Sequence, residues 1–254
     1  MSATQTATGA PTWLMLGASS AVARAFAREA AAHGHGVLLA GRDMDDLERQ
    51  AADLAIRYEV PAAPVSFDAR DHAGHAAFAR DCAARAGGPL NLFLAFGSMP
   101  DQAELDADPA AAAAMVDANF TGAATLLAAF APVLEAQRQG MVVALGSVAG
   151  DRGRPRNYTY GATKAALHTF LQGYAARLSR VGVGVLCIRP GPVDTAMTWA
   201  LPKLPFMASP RAFAAAAWKR ARKGGGDAYL PGIWWPIMTI IRNIPTRIFN
   251  KLDL

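Results

Sequence analysis

Trp13-Leu14-Met15-Leu16-Gly17-Ala18-Ser19-Ser20-Ala21-Val22-Ala23-Arg24-Ala25 is the stretch on which the fold turns. Four apolar residues run without interruption, a turn of small residues follows, and an alanine-rich segment continues to Gly34. An unbroken apolar run suits a strand covered on both faces. A small-residue turn entering a helix offers backbone N–H groups and the positive end of the helix dipole to an anion such as a pyrophosphate. The most specific version of this turn carries three glycines, whereas Ala21 and Ala23 stand at the second and third positions here. Alanine tolerates helical dihedrals, so the turn works only if both lie inside the helix.

Outward from this unit the pattern recurs. Gly36–Ala40, Ala63–Phe67, Leu90–Phe96, Gly140–Leu145 and Val183–Ile188 are further apolar runs, with a last short one at Ala228–Leu230 after the Gly224–Gly226 turn. Most are followed by a segment long enough to return as a helix. The expectation is an α/β fold of Rossmann-like type, a doubly wound parallel sheet of about seven strands with helices on both faces. Ligands of such sheets sit beyond the carboxyl ends of the strands, so functional residues should follow the strands. The 254 residues suit one domain, residues 1–254, and neither an internal repeat nor a linker interrupts them. Met1 to Pro11 reads as a loose tail without the basic and apolar regions of a signal peptide. Residues 190–210 hold five prolines among apolar residues and read as a lid over the site.

Cys82 and Cys187 stand far apart with no ligand pattern nearby, which argues against a disulfide framework or a zinc site. No metal is expected. His33, His35, His72, His75 and His168 are dispersed, and His72 and His75 read as surface decoration of a helix. The net charge of +5 is uneven: from Ala200 onward nine Lys and Arg face two Asp, giving +7 there and −2 elsewhere.

The chemistry-bearing residues follow the strands as expected. Arg42, in Gly41-Arg42-Asp43 with no preceding acid, suits the 2′-phosphate of NADP and favours NADP(H) over NAD(H); it reads equally as an exposed arginine near a helix start. Asp68 is either a helix N-cap or an acceptor for an adenine amine. Ser147 follows the fifth strand, and thirteen residues later Tyr160 and Lys164 open a helical stretch. Tyr and Lys at i and i+4 share a helix face. A free tyrosine titrates at about 10, and a nearby cation favours the phenolate, so the pair reads as an acid/base group tuned downward. Asn119 lies in a preceding helix. Tyr158, with poor helical spacing to Lys164, reads as a packing or substrate-contact residue.

Gly17–Ala25, Asn119, Ser147, Tyr160, Lys164 and Pro190-Gly191-Pro192-Val193-Asp194-Thr195 together resemble the short-chain dehydrogenase/reductase family over nearly the whole chain. The resemblance implies an NAD(P)-dependent oxidoreductase acting on carbonyls or alcohols, working as a dimer or tetramer in the cytoplasm. It implies Tyr160 as proton donor, Ser147 on the carbonyl oxygen, Lys164 on the nicotinamide ribose and Asn119 on a relay water. It also implies cofactor contacts from Gly17, Ser19, Ser20, Val22, Ala95, Gly97, Pro190, Gly191, Val193 and Thr195. Ala95-Phe96-Gly97 departs from the family's Asn-Ala-Gly, which loses a sheet-stabilising Asn and keeps the backbone contact.

A narrower resemblance concerns the substrate. Ala95–Gly97, Ala149–Arg154, Asn157–Lys164 and Ile240–Phe249 are similar to the decaprenylphosphoryl-2-keto-ribose reductases. That implies a lipid-linked keto-sugar substrate, an arabinose-type cell-envelope product and an oxidase partner that makes the keto sugar. Ile233-Trp234-Trp235-Pro236-Ile237-Met238-Thr239-Ile240-Ile241 agrees on physical grounds. It is too short for a bilayer-spanning helix of about 20 residues, and with Arg242, Arg247 and Lys251 it suits a membrane interface, so residues 233–254 would hold the chain peripherally at the inner membrane face. A core helix or subunit contact is the alternative. The competing functions are a general ketoreductase for a soluble acyl or steroid-like carbonyl and a non-catalytic dinucleotide-binding protein. Nucleic acid is excluded as a partner because the basic tail is too apolar for a phosphate groove.

Overall fold

The computed structural model describes residues 9–199 and 205–252. Seven parallel strands form one sheet: β1 (Thr12–Leu16), β2 (Gly36–Gly41), β3 (Ala62–Ser66), β4 (Leu90–Leu94), β5 (Met141–Leu145), β6 (Gly184–Pro190) and β7 (Gly226–Leu230). Their spatial order is β3-β2-β1-β4-β5-β6-β7, so the winding reverses between β1 and β4. The expected strands all form, with ends displaced by at most two residues. Leu90–Phe96 stops at Leu94, the last residue of β4 paired with β1.

Both faces of the sheet are covered, which is why its strands read as continuous apolar runs. Leu14 and Leu16 of β1 enter a core shared with α3 (His75–Arg85), α6 (Gly122–Gln137) and α7 (Tyr158–Ser179). Trp13 and Met15 point the other way, toward α1 (Ala21–Ala32), α2 (Met44–Tyr58) and α8 (Pro210–Ala221). Phe26 of α1 is fully buried there, stacked on Phe93 with ring centroids 4.0 Å apart and edge-on to Trp13 at 5.0 Å. Burial pushes the thiols of Cys82 and Cys187 up to about 12, leaving them inert packing groups.

Smaller elements complete the chain. Helices α4 (Gln102–Ala107) and α5 (Pro109–Val116) precede a π-helical turn, Asp117–Thr121, that runs on into α6. A 3₁₀ turn, Val148–Asp151, follows β5. The C-terminal segment forms α9 (Trp234–Asn243) and α10 (Thr246–Phe249). The lid segment bends through Val193, which bridges to Ala208, and turns at 196–199; residues 200–204 of it, and 1–8 of the expected tail, lie outside the described residues.

Phe26→Ala should cost about 3–5 kcal/mol, the usual loss for emptying a close-packed aromatic site. Urea denaturation followed by circular dichroism would measure it, and a change under 1 kcal/mol would mean that the α1 face packs differently.

Candidate active site

Sequence decides the first turn through Gly17, whose φ of +83° is natural only to glycine. A Cβ there would also lie 2.8 Å from the backbone nitrogen of Phe96, so β1 and β4 could not approach at the winding reversal. Ser20 caps α1, its hydroxyl accepting the N–H of Ala23 at 3.2 Å. Ala21 and Ala23 lie inside α1, so the turn keeps its form without the two further glycines. Ser19 is exposed at the helix mouth and Val22 is buried in the core beneath it. Arg24, not singled out from sequence, donates to the carbonyl of Ser19 at 3.1 Å and pairs with Asp46 at 2.6 Å, tying the first turns of α1 and α2 together. Arg42 is exposed just before α2.

Asp68 keeps only one of its two readings. Helix α3 starts only at His75, and Asp68 instead accepts the N–H of Arg70 at 2.9 Å in a local turn, so it is not a helix cap. The two histidines read as surface groups differ likewise: His75 is 3% exposed, with Nδ1 3.1 Å from Thr125 Oγ1, and His72 lies 3.3 Å from Asp117. Tyr158 donates its hydroxyl to Asp106, which anchors the start of α7 to α4.

The catalytic candidates converge where β4, β5 and α7 meet. Asn119 sits in the π-helical turn, 1% exposed, and exchanges two hydrogen bonds with the backbone of Ser98, both 2.8 Å. Such turns cluster at functional sites because the extra residue re-aims side chains. Gly97 lies against Asn119: a Cβ there would be 3.0 Å from Asn119 Oδ1 and 3.8 Å from Lys164 Nζ. Ala95 remains in register, its N–H donating to Leu16 at 2.9 Å, so the missing Asn leaves the sheet edge intact.

Lys164 Nζ donates to the carbonyl of Leu145 at 2.9 Å and lies 5.7 Å from the centroid of the Tyr160 ring. Ser147 accepts the N–H of Ala149 at 3.1 Å and hydrogen-bonds Tyr160. The expected downward tuning of Tyr160 is reversed in the bare chain. Burial pushes its phenol up to about 12, opposed only by the hydrogen bond to Ser147. Burial also lowers the Lys164 ammonium to about 8. A dry site penalises both charges.

The fifth group is His168, 5% exposed and overlooked among the dispersed histidines. It stands at i+4 from Lys164 and i+8 from Tyr160, so one buried face of α7 carries all three. Its Nε2 accepts the N–H of Ser147 at 3.3 Å, and its Nδ1 faces Asp151 at 3.8 Å. Burial and the charges of Arg189, Lys164 and Arg242 lower its pKa to about 3. Asp151 in turn accepts from Arg189 Nη1 at 2.8 Å and from the Tyr229 hydroxyl at 2.7 Å.

Beyond β6, Gly191 donates to Leu230 at 3.0 Å and is covered by Trp234, whose Nε1 would stand 1.9 Å from any Cβ there. Pro190 ends β6, Val193 is buried, and Thr195 accepts from Thr198 Oγ1 at 3.0 Å through its carbonyl. Gly17, Ser19, Ser20, Ala95, Gly97, Pro190, Gly191, Val193 and Thr195 therefore border the carboxyl edge of the sheet, with Val22 just beneath. A cavity of about 380 Å³ lined by Trp13, His33, His35 and Trp218 opens on the opposite edge and is separate from this site.

The pattern described as short chain dehydrogenase matches residues 12–204. An uncharacterized oxidoreductase of Mycobacterium tuberculosis is 33% identical over 245 residues, covering 96% of this chain and 98% of that protein. One from Streptomyces coelicolor is 34% identical over 249 residues, covering 94% of each. Among solved structures, a short-chain dehydrogenase from Burkholderia cenocepacia in complex with NADP superposes with a TM-score of 0.81 at 21% identity, covering 98% of this chain and all of that one. A Sphingobium yanoikuyae short-chain dehydrogenase in complex with NADPH gives 0.79 at 24% identity, covering 93% and 97%.

The depressed His168 has a consequence for stability. Its folded pKa of about 3 lies below the unfolded value of 6.5, so the unfolded chain takes the proton first as pH falls. Stability should be fully present above about pH 6.5 and drain away toward pH 3. Urea midpoints measured across that window should fall more steeply for the wild-type chain than for His168→Gln; parallel curves would show that His168 is not the group responsible.

Proposed function

Because the chain belongs to the short-chain dehydrogenase family, an NAD(P)-dependent oxidoreductase lineage, we propose that it reduces a 2-keto-pentose carried on a polyprenyl phosphate, with NADPH as reductant and Tyr160 as proton donor. The observation that carries this reading is the position of α9. Its Trp234 and Met238 pack on Val148, next to Ser147, while Trp235 and Ile240 on the same helix are 62% and 67% exposed. A large apolar surface thus adjoins the site, extended by Trp199 and Phe206 of the lid and flanked by exposed Arg242, Arg247 and Lys251. Apolar and cationic groups interleaved on one surface suit a membrane interface with anionic headgroups. One face of the segment is thus packed on the core, and the exposure of the other supports a lipid-facing role.

The residues present fit a dinucleotide. Gly17 and Gly97 let the backbone close up against Phe96 and Asn119 beneath the turn, Ser20-capped α1 presents its N-terminus, and exposed Arg42 can meet a 2′-phosphate. NADP and NADPH in the two structural neighbours agree with that choice. When bound, the cofactor supplies the hydride. The chain supplies the rest. Ser147 hydrogen-bonds the substrate carbonyl oxygen, and the Tyr160 phenol, protonated at neutral pH, donates to that oxygen. Lys164, charged below about pH 8, stabilises the phenolate left behind and holds the cofactor ribose. Asn119, fixed by Ser98, orients the water that returns a proton. In this scheme an oxidase partner makes the keto sugar, the reductase returns the hydroxyl with inverted configuration to give an arabinose-type precursor, and the chain works from the cytoplasmic face of the membrane as a homo-oligomer.

An NADPH-oxidation assay comparing a polyprenylphosphoryl 2-keto-pentose in vesicles with soluble ketones tests the reading. The lipid-linked substrate should be preferred, and Trp235→Ser with Ile240→Ser should weaken both vesicle sedimentation and its turnover while sparing any soluble ketone. Equal or better turnover of soluble ketones, with sedimentation unaffected, would establish a general ketoreductase instead.

A further inference from the structure

The turn after β5 is wrapped closely around one imidazole. A Cβ at Gly146 would stand 2.3 Å from His168 Nε2, and one at Gly150 would stand 2.7 Å from His168 Cε1. Between these glycines the Ser147 backbone N–H donates to Nε2 at 3.3 Å. Gly146 is fixed on its other side, donating to Ile188 of β6 at 2.7 Å. The ring is therefore the floor on which the serine-bearing turn rests.

The far side of the ring is held just as firmly. Asp151, its side chain 1% exposed, faces Nδ1 at 3.8 Å. Arg189 of β6 and Tyr229 of β7 each donate to that carboxylate, and Arg189 also reaches Asp227 at 3.3 Å. A buried carboxylate opposite Nδ1 favours the tautomer with its proton there, which leaves the Nε2 lone pair for the Ser147 N–H. Strands β6 and β7 thereby act on Ser147 through an acid and an imidazole.

Resting on the reading of Ser147 and Tyr160 given above, we propose that His168 is a positioning residue of the active site: held by Asp151 and Arg189, it fixes the Ser147 backbone, and with it the hydroxyl that meets Tyr160 and the substrate carbonyl. Helix α7 then carries proton donor, cation and positioning group at successive turns of one face. A turn freed from Nε2 would let the hydroxyl drift, and misplacement by about 1 Å commonly lowers turnover about a hundredfold.

The test compares His168→Gln, His168→Asn and His168→Leu, with NADPH affinity, kcat and KM for a soluble α-hydroxyketone, melting temperature, and nitrogen-15 spectra of the imidazole and of the Ser147 amide. Gln places an acceptor where Nε2 lies, Asn places one near Nδ1, and Leu places none. Expected are wild-type spectra with Nδ1 protonated and Nε2 bare, a kcat loss of about ten- to a hundredfold in Leu and Asn at nearly unchanged NADPH affinity, and recovery to within a few-fold in Gln. Equal kcat in all variants, or a Gln variant no better than Leu, would overturn the positioning role, as would a wild-type ring protonated at Nε2. A wild-type chain inert with NADPH and every ketone would instead reject the functional reading. In that case a Ser147 amide resonance shifted in Leu and restored in Gln would still uphold the positioning.

Discussion

The contact between α7 and the turn after β5 sets the geometry of everything chemical in this chain. Gly161 of the helix meets the turn so closely that a Cβ would lie 2.7 Å from the Ala149 carbonyl oxygen, and Gly150 of the turn meets the helix backbone at 2.8 Å. Tyr160, Lys164 and His168 face this seam and are all buried in it. Their partners are Ser147, the Leu145 carbonyl and the Ser147 N–H, which lie within three residues of one another. The approach that places a phenol beside a serine also excludes water, and that exclusion raises the phenol and lowers the ammonium and imidazole together.

The fold was legible because a sheet covered on both faces writes itself as apolar runs, and β1 through β7 all answer to such runs. The first turn was legible in part: Ala21 and Ala23 read as missing glycines, and only the cap at Ser20 shows that the helix has already begun there. The spacing of Tyr160 and Lys164 announced a shared face, but spacing carries no information on desolvation, which decided the direction of the phenol's shift. His168 went unnoticed because its partners stand elsewhere in the chain, Ser147 and Asp151 before it and Arg189 after it. The signal that would have found it was already present, since i+4 from Lys164 continues the stripe that Tyr160 starts. Of the two readings of Asp68 the helix cap alone fails, because a turn at 68–71 intervenes before α3 begins at His75.

The C-terminal segment shows why composition alone could not choose between core and interface. Helix α9 buries Trp234 and Met238 against the site and leaves Trp235 and Ile240 outward, while Arg152 holds α10 by lying 4.3 Å above the Phe249 ring and donating to Arg242 at 3.1 Å. A segment attached on one face to the serine-bearing turn and apolar on the other couples the reacting centre to whatever covers that outer face. Removing the whole segment would expose Val148 and Gly191, so its outer face has to be examined by surface substitutions.

Proton delivery by Tyr160 from this buried seam is the step on which the proposed function rests. Its most direct test is the single-turnover rate of NADPH oxidation, with NADPH saturating, for Tyr160→Phe against the wild-type chain. The account predicts a fall of about 10²- to 10⁴-fold, the usual worth of a positioned general acid, with NADPH affinity unchanged. A Tyr160→Phe rate within about twofold of the wild-type value, far inside that range, would contradict it.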